Sequence, residues 1–97
     1  MTSVFEQIRT ILNKRFRFSF EQIQPETEFE RELGTDSREF FELIDEFEIA
    51  FDIEINTEEA TTLVTIQDTV NYIEKKISIK YSQLSEKKSF WRGTYSK

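Results

Sequence analysis

The sequence predicts a small all-α domain, and three observations carry that prediction. Apolar residues recur at three- and four-residue steps in separate stretches, helix-capping residues stand in front of those stretches, and the chain holds only two glycines and one proline. That is too little turn chemistry for an all-β fold. The architecture read from the pattern is a small antiparallel four-helix bundle with three longer helices, one short helix and a long first connection. Ten phenylalanines supply the core, since each can bury about 150–250 Å². One composition profile over 97 residues fits a single domain, as domains run to about 100–150 residues.

The first helix is predicted over 3–16, where Val4, Phe5, Ile8, Ile11, Leu12 and Phe16 share one stripe and Glu6, Arg9 and Lys14 lie outside it. From Arg17 to Asp36 the period is lost, although Phe18, Phe20, Ile23, Phe29 and Leu33 still need burial. A connection of about 20 residues is long for so small a domain, so it should pack on the core or carry function. Pro25 marks a turn within it, and Gly34 permits a positive φ just before the next helix.

Asp36-Ser37-Arg38-Glu39 reads as a capping box that starts the second helix. At about 100° per residue, Phe40, Leu43, Ile44, Phe47, Ala50 and Phe51 fall in an apolar arc about 120° wide. Glu42, Asp45, Glu46, Glu48 and Asp52 lie outside that arc, and Phe41 projects among these acids on the side of Ser37. Asn56-Thr57-Glu58-Glu59 opens a short helix through about Leu63. Thr65-Ile66-Gln67-Asp68 opens the last helix, with Ile66, Val70, Ile73 and Ile77 at helical spacing. The bundle is assigned to residues 1–79. Residues 80–97 read as a basic tail, disordered or partly helical, in which Ile79, Leu84, Phe90 and Trp91 are candidates to pack on the bundle or on a partner.

Composition removes much chemistry. With no histidine and no cysteine there is no zinc finger, haem, disulfide, cysteine nucleophile or histidine base. Two glycines make no phosphate loop, the acids of 42–59 lack calcium-loop spacing, and no metal is expected. Met1 to Phe16 is broken by Glu6, Arg9, Lys14 and Arg15, so it contains no signal peptide or membrane span, and a cytoplasmic location is expected. The formal net charge of −6 is unevenly spread: residues 25–64 hold fourteen carboxylates against two arginines, while 80–97 carry a net +4. Such a field repels nucleic-acid phosphates and anionic lipid and steers basic protein partners to the middle of the chain. Nucleic-acid binding and membrane insertion are therefore not expected, and the chain is expected to be a monomer.

One position stands out chemically. Ser37 sits in the predicted first turn of a helix, where unpaired amides and the helix dipole favour a negatively charged group such as a phosphate ester. Taken alone, Asp36-Ser37 is better explained as a plain helix cap, because Asp-Ser before a helix is a very common one. The wider sequence separates the two. Glu32-Leu33-Gly34-Thr35-Asp36-Ser37, then Glu42-Leu43-Ile44, Phe47-Glu48, Phe51-Asp52-Ile53-Glu54-Ile55 and Thr65-Ile66-Gln67-Asp68-Thr69-Val70-Asn71-Tyr72-Ile73 together resemble an acyl carrier protein over residues 3–79.

The resemblance implies a 4′-phosphopantetheine arm on Ser37, taken from coenzyme A by a phosphopantetheinyl transferase, with Asp36 as the flanking motif residue. It implies a freestanding carrier rather than an enzyme, holding acyl groups as thioesters for acyl-transferring or condensing enzymes with basic docking patches. Arg38, Glu39, Phe41, Glu42, Asp45, Glu48, Ile55, Glu58 and Glu59 fall on the implied recognition surface. Phe29, Phe40, Ile44, Phe47, Phe51 and Leu63 fall on the implied acyl cavity.

Departures from the family pattern point to a specialised lipid, polyketide or aminoacyl pathway. Arg38 replaces the usual leucine after the serine, Asp45 stands at a position that is often methionine, and Phe41 replaces a smaller aliphatic residue. Phe40 and Phe47 stand where smaller side chains are usual. Either these rings take volume from the cargo, implying a short acyl, aryl or aminoacyl unit, or small residues elsewhere compensate. A carrier-like bundle that is never modified and serves as an interaction subunit is the competing reading, with Arg38 as its sign.

Overall fold

The computed structural model describes residues 3–95, and the side chains among them as far as Tyr81. It is helical, in the element order α1 (Val4–Arg15), a 3-10 turn (Phe20–Gln22), α2 (Ser37–Phe51), α3 (Thr57–Ala60) and α4 (Ile66–Tyr95). The predicted helical bundle with a long first connection is the fold observed.

Helix α1 starts where Ser3 Oγ accepts a hydrogen bond from Glu6 N–H at 3.1 Å, and it ends with Lys14 and Arg15 in the last turn, where cations suit the helix dipole. Ile8 and Leu12 are fully buried, and α1 packs against both α2 and α4. Arg9, which the helical period puts outside the apolar stripe, is instead part of the packing. Its guanidinium lies 5.4 Å from the ring centroids of both Phe5 and Phe20, and Nη2 donates to the Phe20 carbonyl at 3.0 Å. The stem covers apolar surface while the head is held between two π faces.

The connection is ordered by its own hydrogen bonds. Ser19 and Gln22 close a full capping box around the 3-10 turn, which aims Ile23 into the core. Beyond Pro25 the chain runs antiparallel to the link between α3 and α4. Phe29 N–H donates to the Val64 carbonyl at 3.1 Å, Ile66 N–H to the Thr27 carbonyl at 2.9 Å and Gln67 N–H to the Pro25 carbonyl at 2.8 Å. The first amides of α4, which have no acceptor inside their own helix, are thus satisfied by the connection. Thr27 Oγ1 donates to the Gln22 carbonyl at 2.9 Å and accepts from Gln24 N–H at 3.0 Å, so this buried hydroxyl is fully used. Of the predicted core residues in this stretch, Phe29, Ile23 and Leu33 are buried and Phe20 is exposed over Arg9.

Helix α2 begins as predicted, with Asp36 Oδ1 accepting from Glu39 N–H at 2.8 Å. Only this half of the box forms. In the full box the Glu39 carboxylate would accept from the Asp36 backbone N–H, which here would bring it toward the Asp36 carboxylate. The buried face is narrower than the predicted arc: Leu43, Ile44 and Phe47 are buried, Phe40 and Phe51 half-buried, and Ala50 exposed near the helix end. Asp52 terminates α2 in the left-handed region at φ 55°, which Asp tolerates better than most residues. Lys80 Nζ secures it, lying 2.6 Å from both the Asp52 carbonyl and Oδ2.

Helix α3 is shorter than predicted and stops at Ala60. The hydroxyls of Thr61 and Thr62 turn back to the carbonyls of Glu58 and Glu59, each at 2.7 Å, and two adjacent β-branched residues do not favour further helix. Helix α4 opens with the predicted Thr65–Asp68 box: Val64 and Thr65 N–H donate to Asp68 Oδ2 at 3.0 and 3.1 Å, and Asp68 N–H donates to Thr65 Oγ1 at 3.0 Å. Its backbone continues past Ile79 to Tyr95, because the helix meets neither proline nor glycine until Gly93 and the intervening Lys, Gln, Leu and Glu are good helix formers. Leu84, Phe90 and Trp91 lie outside the described side chains.

Two stability outcomes follow from these contacts. Gly34 has φ +71° with nothing within 4 Å of a Cβ built there, so Gly34→Ala should cost about 1 kcal/mol through backbone strain alone, read from the urea midpoint. Lys80, by hydrogen bond and then by charge, holds the Asp52 carboxyl below its ordinary 3.8. Lys80→Gln should lower the melting temperature at pH 5–8. The gap to wild type should narrow as pH falls below 3.8 and Asp52 is protonated, leaving the Lys80 bond to the Asp52 carbonyl.

Candidate functional site

Leu33-Gly34 delivers the chain to α2 so that Ser37, the first residue of the helix, stands exposed at its N-terminus. The turn before it is closed by its own hydrogen bonds. Glu28 N–H donates to Glu32 Oε1 at 2.8 Å, and the Phe29 carbonyl accepts both Thr35 N–H and Thr35 Oγ1 at 3.0 Å. Residues 28–35 therefore fold into a compact loop beside the helix start.

Ser37 opens into a recess of about 300 Å³ between this loop, the first turns of α2 and the link after α3. It is lined by Phe29, Phe40 and Phe41, by Thr61, Leu63 and Val64, and by the polar residues Glu28, Glu30, Arg31, Thr35 and Asp36. The three rings form a chain of edge-to-face contacts, Phe29 to Phe40 at 5.4 Å and Phe40 to Phe41 at 5.5 Å, each pair worth about 0.5–1.5 kcal/mol beyond area burial. Phe41, odd in sequence because it falls among acids, is half-buried as the outermost of the three.

Of the residues read as acyl-cavity lining, Phe29, Phe40 and Leu63 meet at this recess with Ser37. Ile44 and Phe47 are closed in the core, and Phe51 is half-buried at the far end of α2. None of those three lines the recess.

The residues read as a recognition surface divide in the same way. Glu42, Asp45 and Glu58 are exposed. Arg38 is exposed and its Nε lies 3.8 Å from Glu42 Oε2, so the positive charge after the serine is turned along the helix. Glu48 is partly withdrawn: its Oε2 accepts Ile55 N–H at 2.7 Å and ties the end of α2 to the following loop. Ile55 is only 7% exposed and packs in the core. Glu59 Oε1 accepts the Tyr72 hydroxyl at 2.6 Å, joining α3 to α4. Burial, and after it the bond to the Glu59 carboxylate, pushes the Tyr72 phenol up to about 12.

Sequence reasoning did not assign a site role to Arg31, Thr35, Thr61 or Val64. Arg31 had a signal available, being one of two bases in an otherwise acidic stretch. The others are brought to the site by the pairing of the two loops, which no periodicity encodes.

A family model described as "Phosphopantetheine attachment site" matches residues 6–73, from α1 into α4, with Ser37 inside the match. The local chemistry fits that group. Ser37 is exposed at a helix N-terminus, where a phosphodiester is favoured by the dipole, and the adjoining recess can shelter what an arm carries.

Tyr72 offers a direct check on the geometry around α3. Alkaline titration of tyrosinate absorbance should contain a component near 12 that disappears in Tyr72→Phe. That substitution should also lower stability by about 1 kcal/mol through loss of the bond to Glu59, an effect present below pH 10 and lost as the pH rises toward 12.

Proposed function

The chain belongs to the phosphopantetheine-attachment family, and from that premise we propose that it is an acyl carrier whose arm is attached at Ser37 and whose cargo is processed by partner enzymes. Its cofactor is 4′-phosphopantetheine, which supplies a terminal thiol able to hold an acyl group as a thioester. A chain without cysteine is no obstacle, because the thiol comes with the arm. The carrying observation is the exposed Ser37 at the start of α2, beside a recess lined by Phe29, Phe40 and Phe41.

The chain's own part is to present, shelter and address. Presentation rests on the Asp36 cap and the hydrogen-bonded 28–35 loop, which position the serine. Shelter rests on the recess. Its size, with Ile44 and Phe47 closed in the core, favours a short acyl, aryl or aminoacyl unit over a long chain, because large side chains take volume that a long chain would need. Address rests on Glu39, Glu42, Asp45 and Glu58, acids on and beside α2 that attract basic patches on a phosphopantetheinyl transferase and on acyl-transferring or condensing enzymes. The atypical surface at Arg38 and Phe41 favours dedicated partners in a specialised lipid, polyketide or aminoacyl pathway.

The second reading, an unmodified interaction subunit, is favoured by Arg38 alone, whose exposed guanidinium stands where a transferase would approach. Incubation with coenzyme A and a broad-specificity phosphopantetheinyl transferase separates the two. The intact mass should rise by one phosphopantetheinyl group, and Ser37→Ala should abolish the gain. An unchanged mass with several transferases, including one from the native host, would favour the interaction subunit. On the carrier reading, native protein isolated with its cargo should show a short acyl, aryl or aminoacyl mass, and a long fatty chain would contradict the small-cargo assignment.

A further inference from the structure

Two cations interrupt the acidic stretch, and both stand at the attachment serine. Residues 25–64 contain fourteen carboxylates and only two bases, Arg31 and Arg38. Arg31 lines the recess into which Ser37 opens, and Arg38 follows Ser37 in the first turn of α2.

Neither side chain is needed where it lies. Arg31 Nη1 is 3.6 Å from Glu28 Oε2, and Arg38 Nε is 3.8 Å from Glu42 Oε2, with the arginine side chains 79% and 88% exposed. Exposed pairs of this kind, made between residues three or four apart, contribute about 0–1 kcal/mol. Both guanidiniums can therefore move at little cost. Phosphate oxygens are better partners for them, because the planar fork can donate two parallel hydrogen bonds to one anion.

A phosphodiester on Ser37 needs such partners. Asp36 precedes the serine directly, Glu39 lies in the same turn, and Glu28 and Glu30 stand at the recess. A new anion there meets repulsion from each of them. The helix dipole offsets part of it, and of the first-turn amides Glu39 N–H is already taken by Asp36.

We propose, on the carrier reading above, that Arg31 and Arg38 form a guanidinium clasp for the phosphodiester on Ser37, each leaving its glutamate for phosphate oxygens once the arm is attached. Arg31 approaches from the recess and Arg38 from the helix, so the arm's first linkage is held from two elements. Arg38 is then not a sign of lost modification but a residue that serves the modified form.

The test compares unloaded and coenzyme A-loaded protein, with loading verified by mass. In ¹H–¹⁵N spectra of the arginine Nε–H groups, Arg31 and Arg38 should shift on loading while Arg15 and Arg17 stay in place. Loading should leave the melting temperature of wild type nearly unchanged, whereas the Arg31→Gln, Arg38→Gln double variant should lose about 4 °C on loading. That loss should shrink in about 0.5 M salt, where the Debye length falls to a few ångström. Substitution at two such exposed positions leaves the core intact, and Arg38→Lys should restore part of the difference. If the loaded protein shows unmoved arginine signals and the double variant melts like wild type, the clasp is overturned and the carrier reading stands. If no loading occurs with any transferase, the carrier reading falls and the clasp with it.

Discussion

The arrangement depends on a short antiparallel pairing between two loops. The backbone of Pro25 to Phe29 exchanges hydrogen bonds with Val64 to Gln67, and three consequences follow from that contact. The amides at the start of α4 find acceptors, the 20-residue connection is fixed to the bundle, and Phe29 is driven to 2% exposure against the first turns of α2. Without this seam the ring chain from Phe29 to Phe41 would lose its first member and the recess beside Ser37 would lose part of its lining. Buried Thr27 and Thr35 serve the same end, using hydroxyls to satisfy carbonyls that no regular element reaches.

Carboxylates are used in two different ways in this chain. Some carboxylates are internal fasteners: Glu48 holds Ile55, Glu59 holds Tyr72, Asp52 holds Lys80 and Asp68 caps α4. Others, including Glu42, Asp45 and Glu58, remain on the surface. A count of acids treats these alike. Their consequences differ, because a fastening carboxylate has oxygens committed to the fold while an exposed one can also meet a basic side chain of an approaching protein.

The elements that sequence reveals well here are those with local causes. Asp36, Asn56 and Thr65 are side-chain caps whose bonds span two or three residues, and Ile8, Leu12, Leu43, Phe47 and Ile73 follow the helical period into the core. Gly34 likewise announces its left-handed conformation. Non-local causes were not legible. Arg9 reads as a solvated helix residue until Phe20 is folded back over it, and Ile55 reads as a surface residue until Glu48 draws its amide inward. The site shows the same split. Ser37 and its acidic helix are written in a few adjacent residues, while the recess arises from three segments far apart in sequence. Its lining could be named only in part, through Phe29, Phe40 and Leu63.

Helix α3 has one further implication. Four residues fall well below the length at which a helix holds itself together in water, so its order comes from neighbours: the Asn56 cap, buried Ala60 and Leu63, and the Tyr72 hydroxyl on Glu59. The part of the recess lining given by Thr61, Leu63 and Val64 is continuous with that segment. Local opening free energies follow how much a segment contributes to its own stability, which makes this part of the lining the softest. A fraying of that one turn would widen the recess beside Ser37 while α1, α2 and α4 keep the serine in register.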